Sequence, residues 1–99
     1  MKTNNRFAEK IRQLRESRAL LLRQVAAELD MDTALLSKIE RGERKLKRAQ
    51  VVRLASLYDI PEKDLLVPWL AEKVNALLAD EPFALEALKI STKTFHQDN

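Results

Sequence analysis

Gly42 is the only glycine among 99 residues, and the chain has just three prolines, Pro61, Pro68 and Pro82. A backbone so poor in turn residues has few places to reverse sharply, and no stretch alternates apolar β-branched with polar residues. Helix is therefore the reading throughout, and the fold class is all-α. With 45% apolar residues, a chain of this length builds one compact domain around a modest core.

Apolar spacing divides the chain into segments. Phe7, Ile11 and Leu14 fall at i, i+4 and i+7, predicting a first helix over residues 6 to 17 with Thr3, Asn4 and Asn5 as upstream caps. Val25, Ala26 and Leu29 form the inner side of a short second helix over 22 to 29. Asp32 stands where an N-cap is wanted for a third helix over 33 to 41, in which Leu36 and Ile39 point inward. Gly42 closes that helix, because a helix C-terminus favours a left-handed residue without a Cβ penalty. A fourth helix over 47 to 58 buries Val51, Leu54, Ala55 and Tyr58. Pro61 opens a short fifth, and Val67-Pro68 is expected to end it, since a residue before proline is pushed out of the helical region. That boundary divides a domain of residues 1 to 67 from a helical extension of residues 68 to 99. The extension is read as helices over 68 to 79 and 81 to 94, with Asp80 capping the junction and a frayed HQDN end.

Charge is distributed unevenly. Residues 1 to 48 hold 13 Lys/Arg against 7 Asp/Glu, or +6, whereas residues 49 to 99 hold 5 against 8, or −3. Five of the eight residues from 41 to 48 are Lys or Arg. Such an asymmetry fits a half facing a polyanion joined to a near-neutral half, although a charge-rich solvated helical surface would also produce it. The absence of cysteine removes disulfides and thiolate metal sites and points to a reducing cytoplasm. The apolar runs are too short for a signal peptide or a membrane span.

Two short helices joined by Asp30-Met31-Asp32, the second with small polar residues outside, make a helix-turn-helix. Thr33, Ala34, Ser37 and Lys38 occupy the outer side of the third helix. Small side chains there let a helix sink into the major groove, where hydroxyls and Lys meet base edges. The neighbouring Arg23, Gln24, Asp32, Arg41, Arg44, Lys45, Lys47 and Arg48 are expected along the phosphate backbone, where cations neutralise charge without reading sequence. Leu35 has two readings, contact with thymine methyls or packing.

The stretches KIRQLRESRAL, VAAELDMDTALLSKIERGE and VVRLASLYDIPEKDLL, spanning about residues 7 to 66, resemble the Cro/phage-repressor-type (Xre-like) helix-turn-helix transcription factors, and SKIERG is the sharpest element of the match. The resemblance implies a five-helix repressor-like bundle whose second and third helices read DNA, and a symmetric dimer on the duplex. It also implies a structural ion pair between Arg15, late in the first helix, and Glu40, two residues before the glycine. Three positions depart from the family pattern. Ala19 and Asp30 stand where glycines are frequent, and Leu22 replaces the Gln that commonly grips DNA, so that contact is not carried over. Either Arg23 takes the phosphate duty or Leu22 is core. Small stand-alone members of this family include restriction-modification controller proteins, and a chain without a sensor domain fits that style.

Beyond Pro68 the chain is net acidic and richer in apolar residues than one small core needs. A homodimer interface through Trp69, Leu70, Val74, Leu77, Phe83 and Leu88 is one reading, and completion of the monomer core is the other. An antitoxin-type module that binds DNA and masks a toxin partner is a further class, and a structured-RNA binder a third. The lack of aromatic residues on the basic face argues against single-strand readers. No enzyme is expected. Ser17, Ser37, Ser56 and Ser91 have no histidine near them in sequence, His96 reads as a tail residue, and no glycine-rich loop or carboxylate cluster suggests metal or phosphate chemistry. The expected partner is double-stranded DNA, with no cofactor, no metal, no small-molecule ligand and no membrane.

Overall fold

The computed structural model describes residues 6 to 96. The caps expected at Thr3, Asn4 and Asn5, and the tail from residue 97, lie outside that range. Among the described residues six helices follow one another: α1 (Arg6–Ser17), α2 (Leu22–Glu28), α3 (Thr33–Glu40), α4 (Arg48–Leu57), α5 (Glu62–Leu78) and α6 (Ala84–Phe95). No strand occurs among the described residues. The chain is all-helical, with one helix fewer than the segments read from the sequence.

The first four helices form where apolar periodicity places them, within the one or two residues by which helix ends fray. Their inner stripes converge: α1 packs on α3 and α5, α2 on α3, and α4 on α5. Ile11, Val25, Leu36, Val51, Leu54 and Leu65 are essentially inaccessible at the centre. Each buried aliphatic side chain of this kind contributes about 1.5–3 kcal/mol. A further anchor comes from the α3–α4 loop, whose Leu46 is buried in the same cluster.

Two expectations fail at prolines, in opposite directions. Pro68 does not end a helix, and α5 runs through it from Glu62 to Leu78. Proline inside a helix costs roughly 3 kcal/mol and frees one carbonyl. Here that carbonyl belongs to exposed Asp64 in the first turn, while Leu65 and Leu66 before the proline and Trp69 after it bury into one core. Burial on both sides outweighs the local penalty. At Pro82 the local rule wins. The helix expected from residue 81 starts at Ala84, and Asp80 does not cap it. Instead the Glu81 carboxylate accepts the Phe83 N–H at 3.0 Å.

Among the described residues four take positive φ: Gly42 at 80°, and Ala19, Asp30 and Asp59 at 55–58°. Ala19 is the costly one, because a Cβ in the left-handed region is disfavoured by about 1–2 kcal/mol and alanine has no polar side chain to compensate. The turn persists because Leu20 N–H donates to the Arg15 carbonyl at 3.2 Å and the Arg15 guanidinium donates to the Leu20 carbonyl at 2.8 Å. Ala19→Gly is expected to raise stability by about 0.5–1 kcal/mol, the relief of strain less the extra unfolded-state entropy of glycine. An unchanged or lower urea midpoint would remove strain from this turn.

Tyr58 is fully buried at the end of α4, with Arg18 stacked 5.7 Å from its ring centroid. Its hydroxyl has no hydrogen-bond partner among the described residues. Burial first, then the nearby Glu40 carboxylate, push the phenol far above its ordinary value of 10.0. The unfolded phenol ionises above that value while the folded one stays neutral, so the unfolded state loses a proton and stability falls as pH rises through about 10. Tyr58→Phe abolishes this contribution. The difference in urea midpoint between variant and wild type is expected to be flat below pH 9 and to grow in favour of the variant above pH 10. A gap independent of pH would contradict the assignment.

The radius of gyration, 15.4 Å, exceeds the roughly 13 Å of a compact chain of this length. Trp69 is the last buried residue among those described, and α6 buries none.

Candidate nucleic-acid interface

Helices α2 and α3 meet through a turn that is held at several points. Asp30 takes the left-handed conformation at its centre, Met31 N–H donates to the Ala26 carbonyl at 3.0 Å, and Leu29 is buried beneath it. Arg53, from α4, reaches across to the Asp30 carboxylate at 3.2 Å and also donates to the Glu28 carbonyl. This clasp links residues 23 to 25 apart in the chain, and nothing in the local sequence around Arg53 signals it.

On α3, Asp32 is the N-cap, and its Oδ1 accepts the Leu35 N–H at 2.7 Å. A carboxylate is an acceptor only and cannot donate to a phosphate. The phosphate role expected of Asp32 is therefore closed to its side chain, which instead starts the helix. Leu36, Ile39 and Glu40 face inward, whereas Thr33, Ala34 and Lys38 are exposed together on the opposite side and Ser37 is half-buried beside them. Leu35 is half-buried and packs against the core, as does Leu22 on α2.

The end of α3 carries its own polar network. Arg41 donates to the Ser37 hydroxyl at 2.6 Å and to both Glu43 oxygens at 3.0 and 3.3 Å. Hydrogen bonding to Arg41, and then its charge, hold the Glu43 carboxyl below the usual range. Glu43 is thus ionised at neutral pH and competes with any phosphate for Arg41. Gln24 is similarly engaged, its Oε1 accepting Leu21 N–H at 2.7 Å at the start of α2, where Leu21 has no side-chain oxygen to offer as a cap. Arg23, Arg44, Lys45, Lys47 and Arg48 are exposed. The last four lie just past Gly42 and flank the buried Leu46, so its anchoring turns its charged neighbours outward.

Behind this surface, Arg15 ties α1 to α3. Its Nε donates to Glu40 Oε2 at 2.8 Å and its Nη2 to Oε1 at 3.0 Å, a bidentate fork whose side chains are only 12% and 5% exposed. The Glu40 hydrogen bond also raises the Arg15 pKa further. Of the residues read as a dimer surface, Trp69 belongs to the monomer core, with its indole N–H donating to the Leu46 carbonyl at 3.0 Å. It is turned inward because that face of α5 continues the stripe of Leu65 and Leu66. Leu70, Val74, Leu77, Phe83 and Leu88 are exposed.

No group of three or more His, Cys, Asp or Glu residues able to hold a metal ion occurs among the described residues, and no helix there is long and apolar enough to cross a membrane.

Comparison with known proteins agrees with this geometry. An HTH-type transcriptional regulator of Bacillus subtilis (strain 168), RghRB, itself uncharacterized, is 34% identical over 61 residues, covering 61% of this chain and 44% of that protein. The chain thus spans less than half the length of the relative it matches. No solved structure matches significantly. The family model for a helix-turn-helix domain matches residues 6 to 66, which are the residues that build α1 to α4 and the buried start of α5. By that match the chain belongs to the helix-turn-helix domain family.

Proposed function

We propose that this protein is a sequence-specific regulator of transcription that binds double-stranded DNA as a homodimer on an inverted-repeat operator. One observation carries the reading: the exposed side of α3 presents Thr33, Ala34 and Lys38 to solvent, and the cations Arg44, Lys45, Lys47 and Arg48 continue from its end. A helix with short outer side chains fits the major groove, and Lys38 reaches base edges there. The loop cations then lie on the sugar-phosphate strand beside it. Nothing in this role calls for catalysis or a cofactor.

The dimer rests on the extension. Eight of the ten large apolar side chains exposed among the described residues lie between residues 70 and 95, a concentration that monomeric proteins rarely leave to solvent. Leu70, Val74 and Leu77 form one stripe on α5, and Leu85 and Leu88 another on α6. A dimer through them that binds an inverted repeat must hold two α3 helices about 34 Å apart, one turn of duplex. A cytoplasmic controller of a restriction-modification operon is the finer form of this reading. The exposed α6 also favours a second one, an antitoxin-type module whose extension covers a toxin.

Selection of bound duplexes from a random pool, with stoichiometry measured on the winner, tests both. A palindromic winner holding two chains supports the homodimeric regulator. A winner bound by monomers, with residues 68 to 99 prone to aggregation until a partner protein is added, supports the second reading. Failure to prefer any duplex over heparin at moderate ionic strength overturns both.

A further inference from the structure

The α3–α4 loop carries the exposed cations, yet residues 45 to 47 form no regular structure. Lys47 is held to α4 as its N-cap, its N–H donating to Gln50 Oε1 at 2.8 Å, and two contacts fix Leu46 against the body of the protein. The Leu46 side chain is buried in the core, and the Leu46 carbonyl accepts the Trp69 indole N–H at 3.0 Å in a buried, long-range hydrogen bond. The donor comes from α5, one residue past Pro68, and is the last buried side chain among those described. The next turn of α5 braces it. Lys73 Nζ lies 4.5 Å from the Trp69 ring centroid, and Glu72 Oε2 accepts the Phe7 N–H at 3.0 Å at the start of α1. Phe7, Gly42, Arg44, Lys45 and Lys73 line the crevice around this junction.

We propose that Trp69 is a positioning residue for the phosphate-contacting loop. Its N–H fixes the Leu46 carbonyl, and with it the direction in which Lys45 and Lys47, the two residues flanking Leu46, present their ammonium groups. A buried carbonyl has one strong way to be satisfied here, and losing the donor leaves it unsatisfied, which favours reorientation of the peptide between Leu46 and Lys47. The role goes beyond burial, since a phenylalanine fills most of the same space without donating. It rests on the reading of Arg44, Lys45, Lys47 and Arg48 as phosphate contacts. Because Leu70 and Val74 follow Trp69 on the same helix, the loop is also set by the element that carries the proposed dimer surface.

The test uses the full chain with Trp69→Phe, and with benzothienylalanine at position 69, which keeps the indole outline but replaces N–H by sulfur. Ile11→Val serves as a packing control in the shared core that leaves the Trp69 hydrogen bond in place. Two quantities are measured: amide hydrogen exchange at residues 44 to 47, and affinity for a random duplex of about 20 base pairs across a salt series. Both position-69 variants are expected to speed loop exchange about tenfold, to weaken duplex binding several-fold at low salt, and to lower the log–log salt slope by about one, the signature of a lost phosphate contact. The control should change neither exchange nor slope. Unchanged exchange and slope in the benzothienylalanine protein, while wild type binds duplex, overturn the inference alone, whether or not Trp69→Phe folds. Wild-type protein that binds no duplex overturns the phosphate reading and the positioning role with it.

Discussion

Glu40→Ala is expected to lower folding stability by about 3–5 kcal/mol, the usual cost of removing one partner from a buried ion pair. The carboxylate accepts two hydrogen bonds from Arg15 at 2.8 and 3.0 Å, and both side chains are almost fully enclosed. Truncation leaves the guanidinium with the Leu20 carbonyl and, at 3.9 Å, the exposed Glu16 carboxylate, in surroundings that solvate a cation poorly. The loss is a large fraction of the roughly 5–15 kcal/mol available to a domain of this kind. It corresponds to a fall in melting temperature of at least about 12 °C. Replacing both partners by apolar residues, Arg15→Met with Glu40→Leu, should recover much of the loss, because the penalty comes from the orphaned charge more than from the missing bond. Urea unfolding of the two single variants and the double variant decides the matter. A loss below about 1 kcal/mol for Glu40→Ala would mean the pair behaves like a surface salt bridge. Duplex affinity should follow stability, since this fork sets the angle of α3 against α1.

What the sequence makes legible divides along the same local and long-range line. Helices α1 to α4 can be read because a buried stripe repeats every three or four residues, and Val25, Leu36 and Leu54 each lie where that repeat puts them. Gly42 and Asp32 mark helix ends through chemistry confined to one turn. The exposed side of α3 follows by elimination once Leu36 and Ile39 are assigned inward. Pro68 misleads because the rule for a residue before proline is local, whereas the burial that overrides it depends on α1 and α4 meeting α5 on both sides of the ring. Trp69 points to a partner surface for a related reason. Its amphipathic spacing says that it is covered, but not by what, and the Leu46 carbonyl lies 23 residues away. Arg53 and Glu72 carry no local signal either, because each acts across the fold on a backbone group of another helix.

The contrast between Lys38→Ala and the pair Arg44→Ala with Lys45→Ala probes the proposed DNA surface directly. Lys38 is exposed on the outer side of α3, and although its charge acts on Glu43, that carboxylate is hydrogen-bonded to Arg41, which leaves the Lys38 ammonium open to a base edge. Its removal should cost about 1–3 kcal/mol on the selected operator and much less on random duplex, which narrows the preference between them. Arg44 and Lys45 sit past the helix, where the proposed docking puts the strand backbone. Their joint removal should weaken every duplex alike and reduce the magnitude of the salt slope by about 1.8, since each neutralised phosphate contributes roughly 0.9. Titrations of operator and random duplex over a range of salt separate the two effects. If Lys38→Ala leaves discrimination untouched, α3 is not the reading element. If the double variant keeps the wild-type slope, the cations after Gly42 do not lie on the phosphates. The two results are independent, because one measures a ratio between sequences and the other a count of displaced counterions.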